Sequence, residues 1–76
     1  MLFFVQGRDE LTEDHLVQIR DRRSGDWVDL CRTTKAEWDR LVDTRGASST
    51  LFRSGEEVRA VDWITREPLG GTLIIG

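Results

Sequence analysis

An α+β fold, a strongly bent antiparallel sheet or partial barrel of about six strands (βββ-α-βββ) packed on one central helix, follows from three features of this 76-residue chain. A single stretch carries helical periodicity. Ser-Gly pairs and a Pro-Leu-Gly-Gly run cut the remainder into short pieces, and those pieces are rich in β-branched and aromatic residues.

The helix is predicted over Thr34 to Arg45. Thr34 followed three residues later by Glu37 spells a capping box, which satisfies amide donors that a helix start leaves unpaired. Trp38, Leu41 and Val42 then share one face, Lys35, Asp39, Arg40 and Asp43 point outward, and Gly46 stops the helix.

Met1 to Gln6 is apolar without alternation and reads as a strand covered on both faces, while Gly7 to Asp14 is charged and turn-like, with Leu11 as a loop anchor. Leu16 to Arg22 and Asp26 to Arg32 read as a hairpin with Ser24-Gly25 at its tip. That register sets Arg23 opposite Asp26, Arg22 opposite Trp27, Arg20 opposite Asp29 and Ile19 opposite Leu30. One face then carries Val17, Ile19, Val28 and Leu30 toward the helix, and the other carries Arg20, Arg22, Trp27 and Asp29 toward solvent.

Past the helix, Thr50 to Arg53 begins a second hairpin about Ser54-Gly55, whose tip Arg53-Ser54-Gly55-Glu56 echoes Arg23-Ser24-Gly25-Asp26. Glu57 to Arg66 is the longest predicted strand, with Val61 and Trp63 on one face and Val58, Ala60 and Ile64 on the other. Thr72 to Ile75 is an apolar terminal strand that must be paired within the sheet, the equally apolar N-terminal strand being one neighbour available to it, or across a homodimer.

Length allows one domain, residues 1–76, which buries only about 60% of its unfolded surface. The lone Cys31 precludes an internal disulfide and fits a reducing, cytoplasmic setting. Met1 to Val5 lacks a basic leader and is too short for a signal segment, so the chain is expected to be soluble, with no membrane partner. The net charge of −3 and the interleaving of acids with bases argue against a tail that grips nucleic acid.

Catalytic and metal chemistry find little support. His15 and Cys31 are each the only residue of their kind, so no metal site can be argued. Asp14 and His15 are adjacent, and strand alternation would send them to opposite faces. The serines occupy turns without a hydrolase elbow, and Gly70-Gly71 has no phosphate-loop context. No enzyme and no cofactor is expected.

Protein recognition remains. Interfaces are enriched in tryptophan and arginine, and Trp27 is the tryptophan that the hairpin register leaves outside the core. The candidate protein-binding residues are therefore Arg20, Arg22, Arg23, Trp27 and Asp29, with the partner another protein of unspecified identity. Two alternatives follow from the same residues and size: a phage-type inhibitor occluding a host enzyme or nucleic-acid channel, and a weak single-stranded nucleic-acid binder using Arg20, Arg22 and Arg23. An acidic DNA mimic built from Asp9, Glu10, Glu13 and Asp14 is opposed by the interleaved arginines.

Residues 17–46 carry Val-x-Ile-Arg-Asp, a short polar turn, Leu30, then Thr34-Lys35-Ala36-Glu37-Trp38 and Leu41. This order resembles small actinobacterial domains of unknown function encoded beside helix-turn-helix regulators. The resemblance implies a regulatory or antitoxin-like partner role.

Overall fold

The computed structural model describes residues 12–76, so the expectations for Met1 to Gln6, Leu11, Asp9 and Glu10 lie outside the described residues. Four strands and one helix follow in order: β1 (His15–Arg20), β2 (Trp27–Thr33), α1 (Lys35–Thr44), β3 (Glu57–Asp62) and β4 (Leu73–Ile74). The strands form one antiparallel sheet in the order β2-β1-β3-β4. Among the described residues the architecture is thus α+β with a four-stranded sheet, and the expected six strands and partial barrel do not form.

Helix α1 begins as its sequence requires. The Glu37 N–H donates to Thr34 Oγ1 at 3.1 Å, and Lys35 pairs with Asp39 at 2.8 Å one turn on. At the other end Arg45 takes the left-handed conformation (φ 52°), and the N–H groups of Arg45 and Gly46 donate to the carbonyls of Val42 and Leu41. This is a Schellman closure. Trp38 and Leu41 are buried against Val17 of β1, Val58 and Ala60 of β3, and Ile75. Val42, expected on the same face, is instead 42% exposed, because the sheet meets the helix along the Trp38–Leu41 line alone.

The first hairpin forms with its register shifted by two residues from the expected one. Asp21 Oδ1 accepts the N–H groups of Arg23 and Ser24, the Gly25 N–H returns to the Asp21 carbonyl at 2.8 Å, and the Asp21 N–H donates to Asp26 O at 2.8 Å. An aspartate that caps two amides makes a longer loop than a bare Ser-Gly turn. Arg20 therefore lies opposite Trp27, Ile19 opposite Val28 and Gln18 opposite Asp29. A bulge follows, after which Val17 faces Cys31 and Leu16 faces Arg32; Leu30 is the extra residue and is 43% exposed instead of packing on the helix.

The expected second hairpin about Ser54-Gly55 does not form. The turn itself exists, closed by the Glu56 N–H to Arg53 O at 3.2 Å and capped by Glu56 Oε1 on the Arg53 N–H, but residues 50–53 are not a strand. The segment that pairs there comes from the C-terminal end: Gly55 donates to Ile75 O and Ile75 to Glu56 O. Strand β3 also ends at Asp62, not Arg66, because Asp62 builds a loop of the same design as Asp21. Its Oδ1 accepts the N–H groups of Ile64 and Thr65, the Arg66 N–H returns to Asp62 O, and the Asp62 N–H donates to Glu67 O. Even the hydroxyl bonds match, Ser24 Oγ to the Asp26 N–H and Thr65 Oγ1 to the Glu67 N–H, and the left-handed residue is Gly25 in one loop and Arg66 in the other. The internal echo is therefore Asp21–Asp26 with Asp62–Glu67, and not the two Ser-Gly tips.

After this loop the chain returns along β3, with Pro68 opposite Val61 and Leu73 opposite Val58. The apolar C-terminal strand thus pairs with β3 and, among the described residues, forms the outer edge of the sheet, where Ile74 is exposed.

Candidate interaction face

The sheet has two unlike sides. Alternation along β1 and β3 sends Val17, Val58 and Ala60 to the helix, while Gln18 and Arg20 of β1 and Arg59 of β3 emerge on the opposite, outer side. Trp27 and Asp29 of β2 join them by register.

On this outer face the polar side chains interlock. Arg59 lies over the Trp27 ring, 4.4 Å from its centroid, and donates through Nε to Gln18 Oε1 at 2.8 Å. Gln18 Nε2 in turn donates to Asp29 Oδ1 at 2.9 Å, and Arg66 reaches the other Asp29 oxygen at 2.8 Å from the Asp62 loop. Arg20 approaches the same Trp27 ring at 5.8 Å and pairs loosely with Glu57 at 3.7 Å. Beyond Asp29, Arg32 covers Trp63 at 4.1 Å and donates twice to the Glu13 carbonyl. Buried Gln18 is the keystone, since its amide both donates and accepts, so a buried polar group joins a cation to a carboxylate with neither end unpaired.

Three of the five residues expected at the site, Arg20, Trp27 and Asp29, meet on this face. Arg22 and Arg23 do not. The longer Asp21 loop removes both from the strand, and the Arg22 guanidinium lies beside Gly55, 3.1 Å from where a Cβ would stand. The arginines on Trp27 are Arg59 and Arg20, not Arg22, which the expected register set opposite it. Gln18, Arg32, Arg59, Trp63 and Arg66 were missed. Only the Asp-x-x-Thr spacing of Asp62 to Thr65, which repeats Asp21 to Ser24, signalled that Trp63 and Arg66 occupy a tight loop rather than a strand.

Asp14 and His15 also depart from expectation. Asp14 precedes β1, so strand alternation does not separate the two, and the His15 Nδ1 to Asp14 Oδ1 distance is 2.9 Å. The imidazole borders an open groove of about 600 Å³ between α1 and residues 69–73. Cys31 sits at the rim of a second hollow, under the helix, and burial pushes its thiol up, away from the reactive thiolate. Among the described residues no three His, Cys, Asp or Glu side chains converge to hold a metal, and no helix is long and apolar enough to cross a membrane.

Two carboxylates are held below their ordinary range. The Arg66 and Gln18 hydrogen bonds lower Asp29, and the Thr65 and Ile64 amides lower Asp62. A depressed folded value stabilises the fold fully above the unfolded carboxylate range, and that contribution is lost as pH falls through the lower folded value. The melting temperature is accordingly expected to fall as pH drops below the ordinary carboxylate range. Asp62→Asn keeps an oxygen for both amides but cannot titrate, so its thermal melts should show a shallower acid decline; a slope equal to that of the parent chain would refute the assignment.

No family model, curated protein or solved structure matches the chain. The role of the face is therefore argued from its geometry.

Proposed function

We propose that this chain is a small non-catalytic regulatory module that binds another protein through the outer face of its sheet. The observation that carries the reading is the pair of tryptophans on that face, each with an arginine laid over its ring, at 4.4 Å on Trp27 and 4.1 Å on Trp63. The helix-side core is built from Trp38, Leu41 and the inner residues of the sheet, and on the outer side Leu16 and Val61 are buried as well, yet Trp63 is still 38% exposed. Tryptophan and arginine are the side chains that dominate binding energy at protein interfaces, and stacking restrains both before a partner arrives.

The test is Trp27→Ala. Trp27 lies on strand β2 outside the helix-facing core, so the variant should keep the circular dichroism spectrum of the parent chain. Its capture of a cross-linked protein partner should fall by about thirtyfold, the loss of about 2 kcal/mol typical of an interface anchor. Undiminished capture by a folded Trp27→Ala chain would remove the face from the binding surface.

A further inference from the structure

We infer that the segment bound by this face is acidic, a stretch of partner protein presenting several Asp or Glu carboxylates; this deepens the protein-binding reading above and rests on it. The charges are segregated. Among the described residues, Arg20, Arg32, Arg59 and Arg66 stand against Asp29 and Glu57 on the outer face, a local excess of positive charge in a chain whose formal net charge is −3. An approaching carboxylate is attracted by this side of the domain, while an acidic chain as a whole repels it.

The arginines are also in a state to receive one. Arg59 commits its Nε to Gln18 and Arg66 one terminal nitrogen to Asp29, so the greater part of each guanidinium fork has no acceptor among the described residues. The Arg20 and Arg66 side chains are 46% and 50% exposed. Stacking on Trp27 and Trp63 holds the planes of the guanidinium groups in place, so a bidentate carboxylate pair forms with less loss of side-chain freedom than at a mobile arginine.

The same geometry disfavours a nucleic-acid strand. A base needs a free aromatic face, and on this surface an arginine already occupies one face of each tryptophan. Asp29 and Glu57 lie among the arginines and would oppose an evenly charged phosphate backbone, whereas a peptide can place its carboxylates between them.

The experiment titrates the isotopically labelled full chain with a polyglutamate peptide, a polylysine peptide and an oligothymidylate, reading the indole N–H resonances of Trp27 and Trp63. Polyglutamate is expected to shift both resonances saturably, with affinity falling at least about tenfold between about 20 mM and about 200 mM salt. The Arg59→Gln, Arg66→Gln double variant should lose that response. Asp29→Asn, which removes a like charge and keeps an acceptor for Gln18, should bind polyglutamate about two- to threefold more tightly; this variant carries the test if the double variant fails to fold. Absence of indole shifts with polyglutamate, tighter binding of oligothymidylate, or weaker binding by Asp29→Asn would each overturn the inference. If Trp27→Ala still abolishes capture of a protein partner while polyglutamate shifts nothing, the protein-binding reading stands and the acidic partner alone falls.

Discussion

Replacing Trp38 with alanine is expected to cost about 3–5 kcal/mol, the range for removing a buried aromatic from a core. Trp38 is 5% exposed and clusters with Leu41, Val17, Val58, Ala60 and Ile75, so its ring joins the helix to both central strands and to the C-terminal segment. A domain of this length has a total stability of only about 4–11 kcal/mol at the usual value per residue. Trp38→Ala should therefore lose a large fraction of that stability, about a quarter at the least, whereas Trp38→Phe, which keeps an aromatic in the same space, should lose less. Urea titration followed by circular dichroism measures both. A loss under about 1 kcal/mol for Trp38→Ala would mean that the helix is seated by something other than this side chain.

The second large effect is expected at Gly46, where alanine should cost about 2–5 kcal/mol through two separate causes. The backbone there has φ 92°, a region that favours glycine, and an added Cβ would stand 2.7 Å from Ile75 Cδ1 and 2.9 Å from Ile75 Cγ2. Since Ile75 is buried and its backbone is bonded to Glu56, it cannot withdraw without opening the sheet at β4. The causes can be separated by a double-mutant cycle. In an Ile75→Ala background both colliding atoms are gone, and Gly46→Ala should retain only the backbone cost of about 1–2 kcal/mol. The same cost in both backgrounds would show that Ile75 does not pack on Gly46. This glycine closes the helix, as expected from sequence, but it also leaves space for a residue far along the chain, which no local pattern could announce.

That contrast recurs through the molecule. Thr34, Glu37, Trp38 and Leu41 behave as their spacing implies because a helix is built from contacts within one or two turns. The solvent-facing side of Trp27 and Asp29 was also legible, for an instructive reason. Between the tip and the bulge the register moved by two residues, and side chains alternate with a period of two, so the pairing of Trp27 and Asp29 was wrong while their face stayed right; beyond the bulge the shift is one residue, which takes Leu30 off the helix and brings Arg32 to the outer face. Arg22 and Arg23 had no such protection: at the hairpin tip, a shift of two moves a residue from strand to loop.

Arg59 and Arg66 could not be assigned in advance to the candidate face. Arg59 meets Gln18 across 41 positions of sequence, and Arg66 meets Asp29 across 37. Both contacts depend on β1 lying beside β3, a pairing that skips the helix and is chosen by which apolar faces close the core. Asp62 ended the long predicted strand for a local reason that was overlooked, since a carboxylate that accepts two following amides competes with the ladder.

Short-range chemistry thus settled the helix and its start, the chain reversals near Gly25 and Gly55 and the side of the sheet to which Trp27 belongs, because each depends on neighbours within a few residues. Long-range pairing settled the strand order, the docking of Ile75 on Gly46 and the gathering of four arginines around two tryptophans. Those depend on burying one shared core, a property of the whole chain that no single stretch contains.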